Sequence, residues 1–158
     1  DVHLLPGTRE KLAEINSLKV PIILVTNQSG IGRGMFAWSD YDRVHARIME
    51  LLGGLTPFAA VYANSYTPFD DSGDWRKPMP GMFVQAAADL NIDLASSLMV
   101  GDKCIDLEAA TSAGVGHLAH VLTGHGSSER SRVIESFPQA ALVDSLGDLD
   151  VGALLPRN

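Results

Sequence analysis

Leu98-Met99-Val100-Gly101-Asp102-Lys103-Cys104-Ile105-Asp106 decides the fold of this chain. A short apolar run ends in Gly-Asp and passes directly into a segment with helical spacing, the strand–turn–helix step of an α/β sheet. Such a turn presents its acid at the carboxyl edge of a parallel sheet, where open α/β folds bind ligands. Working outward, the apolar run Ile22-Ile23-Leu24-Val25 ends in Thr26-Asn27-Gln28-Ser29, a cluster of hydroxyl and amide groups. Arg76-Lys77, ahead of Pro78, adds two adjacent cations. Hydroxyl, ammonium and carboxylate groups converging on one sheet edge suit a phosphate ester held beside a divalent metal.

The rest of the pattern extends the same architecture. A helix is expected over residues 9–17, with Leu12, Ile15 and Leu18 on one face, then a buried strand over 20–25. Gly30, Gly32 and Gly34 mark a flexible turn. Ser39 with Asp42 resembles a capping box for a helix to about Leu52, whose Tyr41, Val44, Ile48 and Leu51 repeat at helical spacing. A strand over 58–62 and a polar loop over 64–77 follow. The next helix starts at Pro80, buries Phe83, Ala86 or Ala87, and Leu90, and ends at Asn91. Beyond it come a strand at 97–100, a helix at 105–113 and a strand at 117–122. A loop at 124–132, a short strand at 140–143 and a terminal helix at 146–155 complete the chain. Strands alternating with helices predict an α/β, Rossmann-like, mostly parallel sheet with helices on both faces.

Composition narrows the class. With 158 residues, 46% of them hydrophobic, the chain can bury one core as a single domain over 1–158. A net charge of −7, with no basic block longer than Arg76-Lys77, argues against nucleic acid as a partner. An anionic ligand must then be drawn by local cations and not by the overall field. The single cysteine, Cys104, excludes an internal disulfide and fits a reducing, cytoplasmic setting. No apolar run reaches the roughly 18 residues of a membrane span, so no membrane partner is expected.

Each chemical reading has a simpler counterpart. Asp102 at the strand end would reach a Mg²⁺, with Asp106 one turn into the helix bracing the site. Alternatively, either carboxylate merely caps the helix and meets its dipole. Thr26 and the amides after it form an anion nest, and Gly30-Ile31-Gly32-Arg33-Gly34 adds permissive backbone and one guanidinium. That loop is neither a dinucleotide fingerprint nor a P-loop, and it also serves as an ordinary strand-to-helix connection. Arg76 and Lys77 suit the charge on a transferring phosphoryl group, though such a pair is otherwise a solvated surface dipeptide. His117 and His120, three residues apart on a strand, face opposite sides and form no metal pair. Cys104 reads as a small buried hydrophobe.

Taken in order, these residues resemble the haloacid dehalogenase (HAD) superfamily of phosphohydrolases, in its histidinol-phosphatase and heptose bisphosphate phosphatase branch. The stretch Val25 to Gly34 is similar to that branch's second motif, Arg76-Lys77-Pro78-Met79-Pro80-Gly81-Met82 to its third region, and Val100-Gly101-Asp102-Lys103 with Asp106 and Ala109-Ala110 to its fourth. The likeness runs from about Leu5 to Gly124. It implies a HAD-like core without a large cap domain and Mg²⁺-dependent hydrolysis of a small phosphorylated metabolite, a sugar phosphate such as heptose bisphosphate. It implies that Thr26 hydrogen-bonds the phosphoryl group, with Asn27, Gln28 and Ser29 lining the substrate site and Arg33 beside them. Lys77 would stabilise phosphoryl charge, Arg76 and Lys103 would contact substrate, and Asp102, supported by Asp106, would bind the metal. The family reaction passes through an aspartyl-phosphate, which splits one hard displacement into two easier ones.

Two departures from the family pattern shape the expectations. Ala63, Ser65, Gly73 and Trp75 stand where the branch often carries three Cys and one His, so no structural zinc is expected. The family's Asp-x-Asp nucleophile motif is not found on a suitable strand; Asp1-Val2-His3 does not match it, and Asp148-Leu149-Asp150 lies at the wrong end. The nucleophile is therefore expected upstream, on a segment of about 20–30 residues that would supply a strand between those of Thr26 and Asp102. Without that strand, two inner edges lose their ladder partners. The alternative is a non-catalytic phosphate-ligand-binding or regulatory domain that lacks the nucleophile. A receiver-like signalling domain needs its acceptor Asp before the Thr strand, and here Asp102 follows it.

Overall fold

The computed structural model describes residues 1–154, which divide into two compact units, the first Asp1–Ser72 and the second from Gly73 onward. The first unit begins with α1 (Thr8–Ser17), which buries Leu12 and Ile15, and continues through β1 (Ile22–Asn27) and α2 (Ser29–Gly32). It then runs through α3 (Trp38–Leu51) and β2 (Phe58–Asn64). β1 and β2 pair in parallel from Ile23 opposite Ala60 to Asn27 opposite Asn64, after an irregularity at Ile22. Arg9 ties the start of α1 to the end of α3, its Nε donating to the Leu52 carbonyl at 3.0 Å.

Four local expectations change in this unit, the first being β1, which spans Ile22–Asn27 and not 20–25. The glycine-rich turn is partly helical, because Gly30 and Gly32 allow close packing. A Cβ on Gly32 would lie 2.2 Å from the Ser65 carbonyl oxygen, and one on Gly30 would meet the Phe36 ring at the same distance. α3 starts at Trp38 and not at the Ser39 cap, because Asp40 reaches back to accept the Ala37 N–H at 2.7 Å. β2 runs two residues further than expected, to Asn64.

The second unit carries α4 (Gly81–Leu90), β3 (Leu98–Gly101), α5 (Cys104–Ala113), β4 (His117–Val121), α6 (Gly126–Ser136) and β5 (Ala141–Val143). Its sheet is parallel, in the order β3-β4-β5, with Gly101 opposite His120 and Val121 opposite Val143. Met82, Leu107, Val133 and Leu149 are the large apolar side chains buried at its centre. α4 turns Met82, Phe83 and Ala86 inward and leaves Leu90 39% exposed, contrary to the expected face. Asn91 ends it in the left-handed conformation (φ 52°), as the sequence suggests.

Residues 124–132, expected as a loop, enter a helix. α6 buries only Gly126 and Val133, so no apolar stripe signals it, and Arg130 Nη2 donates to the Val143 carbonyl at 2.8 Å. The expected terminal helix is a 3₁₀ turn (Leu146–Asp148) followed by α7 (Val151–Leu154), with Leu155 outside the described residues. The architecture is therefore α/β with parallel strands throughout. The strands form two sheets, β1-β2 and β3-β4-β5, and among the described residues β1 and β3 each have one ladder partner.

Candidate active site

The Asp102 turn is built by close backbone approach. β3 ends at buried Gly101, where a Cβ would lie 2.6 Å from that of Asp106. Asp102 Oδ2 accepts the His125 N–H at 2.8 Å. Gly124, just before, has φ +63°, and a Cβ there would stand 2.3 Å from Asp102 Oδ2. Only a glycine both adopts that backbone and leaves the carboxylate room. On the main-chain side, His120 Nε2 lies 3.2 Å from the Asp102 carbonyl oxygen.

Asp106 serves two partners. Its Oδ1 pairs with Lys77 Nζ at 2.6 Å, both side chains being 8% exposed. Its Oδ2 accepts the Lys103 N–H at 3.2 Å, closing the first turn of α5. Lys103 is thus the cap residue just ahead of α5, and Arg76 Nη1 donates to the Lys77 carbonyl at 2.7 Å. Lys77 is no solvated surface lysine. The second unit thereby joins Arg76, Lys77, Lys103 and Asp106 through hydrogen bonds, with Asp102 on the same turn as Lys103.

A hard cation fits the Asp102 carboxylate, which is partly exposed and has one oxygen oriented by a backbone N–H. Asp106 has both oxygens engaged, Oδ1 with Lys77 Nζ and Oδ2 with the Lys103 N–H. Among the described residues, no three or more His, Cys, Asp and Glu side chains cluster as a metal site. Cys104 is fully buried, its N–H donating to Glu129 Oε2 at 3.3 Å, and burial raises the thiol pKa. It packs as the small hydrophobe expected. His117 and His120 both lie on β4, with His120 fully buried.

In the first unit, Thr26 stands near the carboxyl end of β1. Gln28 Nε2 donates to Thr26 Oγ1 at 2.9 Å, so the threonine hydroxyl keeps its own proton to donate elsewhere. Asn64 Nδ2 donates to Asn27 Oδ1 at 2.9 Å, and the Gln28 N–H to the Asn64 carbonyl at 2.7 Å, tying the segment after β1 to the end of β2. Ser29 opens α2, while Arg33 follows it and is exposed. An open cleft of about 530 Å³ lies against this strand, lined by Leu24, Thr26, Gln28, Tyr41, Val44 and Ile48 among others. The Tyr41 hydroxyl is buried there with no hydrogen-bond partner among the described residues, and burial, then Asp42, raises its pKa.

Sequence reasoning assigned no role to Gly124, to the His125 backbone or to His120. Gly124 carried the one visible signal, a glycine two residues after an apolar strand.

A parallel α/β chain with an acid at the end of one strand, a hydroxyl near the end of another and a buried lysine has the make-up of a phosphohydrolase. The HAD-hydrolase-like family model matches residues 74–149. The D-glycero-beta-D-manno-heptose-1,7-bisphosphate 7-phosphatase of Vibrio cholerae is 33% identical over 167 residues, covering 94% of this chain and 82% of the relative. Its namesake from Mesorhizobium japonicum is 38% identical over 125 residues, covering 73% of this chain and 56% of the relative. Among solved structures, a D,D-heptose 1,7-bisphosphate phosphatase from B. bronchiseptica, complexed with magnesium and phosphate, matches with a TM-score of 0.79. That match has 31% identity and covers 91% of this chain and 79% of the other. The chain belongs to the HAD superfamily of hydrolases. Within that superfamily it is a heptose bisphosphate phosphatase-like protein.

Proposed function

We propose that residues 1–158 form one HAD-like domain of a cytoplasmic, Mg²⁺-dependent phosphatase acting on a small sugar phosphate such as a heptose bisphosphate. The observation that carries this reading is the Asp102 turn, with its carboxylate oriented by the His125 N–H and followed by Lys103. Bound there, Mg²⁺ would supply Lewis-acid stabilisation of phosphoryl charge. Lys77, held by Asp106, would add a fixed ammonium to that charge. Thr26, oriented by Gln28, would donate its hydroxyl proton to a phosphoryl oxygen. Asn27, Ser29, Arg33, Arg76 and Lys103 would bind and orient the rest of the substrate.

The aspartate that takes the phosphoryl group lies, on this reading, on a strand outside these 158 residues. The single ladder partners of β1 and β3 and the open cleft against β1 support it. The test is phosphate release from heptose 1,7-bisphosphate by a protein that carries that strand together with residues 1–158, across a Mg²⁺ titration, with Asp102→Asn in parallel. Metal-dependent turnover that falls at least about 100-fold in Asp102→Asn is the expected result. Saturable sugar-phosphate binding without release at any Mg²⁺ concentration would establish the non-catalytic binding domain instead.

A further inference from the structure

We propose that His120 is a positioning residue for Asp102, holding its carbonyl so that the carboxylate is offered to the metal in one fixed direction. This rests on the reading of Asp102 as the Mg²⁺ ligand. The His120 ring is fully buried on β4, a strand whose other buried residues are Leu118, Ala119 and Val121. A fully buried imidazole calls for a polar partner. The ladder supplies one: β3 and β4 pair from Leu98 opposite His117 up to Gly101 opposite His120, and there the pairing stops. The Asp102 carbonyl is the first beyond the ladder, and His120 Nε2 stands 3.2 Å from it. The side chain thus continues the hydrogen bonding that the backbone has given up.

The chemistry of the contact fixes the ring. A carbonyl oxygen only accepts, so Nε2 carries the proton. The other nitrogen, Nδ1, is buried and has no hydrogen-bond partner among the described residues. A leucine would fill similar space without leaving a polar atom unmet, so the Nε2 contact is what histidine contributes at this position. Asp102 is then held twice, at its carbonyl by His120 and at Oδ2 by the His125 N–H. Partners one step behind a metal ligand typically change affinity or activity by about 10–100-fold.

The test compares His120→Leu, His120→Asn and His120→Gln in the full chain, reading Mn²⁺ binding by electron paramagnetic resonance and its displacement by Mg²⁺. The glutamine amide nitrogen lies as many bonds from Cβ as Nε2, whereas that of asparagine reaches only as far as Nδ1. We expect Leu and Asn to weaken metal binding about tenfold and Gln to restore it to within about threefold, with thermal stability measured alongside. Nitrogen NMR of the unaltered protein should show the proton on Nε2 and a bare Nδ1. A folded Leu variant with unchanged metal binding overturns the proposal, as does a Gln variant as weak as Leu or a proton on Nδ1. Should Leu and Asn not fold, the Gln variant and the ring tautomer decide. Asp102→Asn separates the premises: unchanged metal binding there removes the metal site itself, while a loss there with none in the folded Leu variant removes only the role of His120.

Discussion

Replacing Asp106 with Ala strikes the buried pair of the second unit. Lys77 Nζ and Asp106 Oδ1 are 2.6 Å apart with both side chains 8% exposed, so water screens them little. Removing one partner of such a pair costs about 3–5 kcal/mol. The loss goes further here, because Asp106 Oδ2 also accepts the Lys103 N–H at the head of α5, a cap worth about 1 kcal/mol. Against a whole-domain stability of about 5–15 kcal/mol, a loss of about 4–6 kcal/mol in Asp106→Ala is a large share of the total. Lys77→Met alone should cost about 3–5 kcal/mol. The double variant Lys77→Met/Asp106→Leu puts apolar groups of similar length on both sides and should come back to within about 2 kcal/mol of the original. Urea unfolding followed by circular dichroism measures the original protein, these variants and Asp106→Leu alone. With a slope near 2 kcal/mol per molar, each single variant should move the midpoint by roughly 2 M. With Asp106→Leu as the matching single variant, the double-mutant cycle should give a coupling of at least about 4 kcal/mol. Additive effects, with a coupling under about 0.5 kcal/mol, would refute the reasoning.

Gly124→Ala forces a Cβ to within 2.3 Å of Asp102 Oδ2 from a backbone with φ +63°; it should destabilise the chain by about 1–3 kcal/mol and weaken Mn²⁺ binding, and unchanged values in both assays would contradict the close approach. Asp93 is held below the ordinary aspartate pKa, chiefly by the Ser96 hydroxyl, so its stabilising effect is present above the unfolded-state pKa and is lost as pH falls through the folded value. Carboxyl NMR should show Asp93 titrating at lower pH than a free aspartate, and Ser96→Ala should move that titration upward; a midpoint unmoved by Ser96→Ala would contradict the assignment.

The sequence foretold what depends on neighbours in the chain. Apolar runs before Thr26 and Asp102, the helix after Gly101 and the stop at Asn91 follow from local pattern and show in the structure. Local pattern failed where burial is sparse. α6 carries Gly126-Ser127-Ser128-Glu129-Arg130-Ser131-Arg132 ahead of its buried Val133, so hydrophobic spacing gave no warning of a helix. It also misplaced the start of α3, since Ser39 looks like a better cap than Ala37 until the reach of Asp40 is seen. The setting of Asp102 was hidden for a different reason. His120 and His125 approach it from 18 and 23 residues away in the chain, a distance that spacing does not express. The pairing of Asp106 with Lys77 is likewise a matter of which oxygen faces which group, 29 residues apart.

Arg130, whose guanidinium holds the Val143 carbonyl, bears on how the chain behaves in a crowd. β5 is three residues long and is the edge strand of its sheet among the described residues, and its last carbonyl accepts from Arg130. Bare, long borders invite strands from other molecules and seed aggregates. A border of three residues gives an incoming strand little length to zip along. An edge this short leaves little bare backbone for a strand of another molecule to pair with.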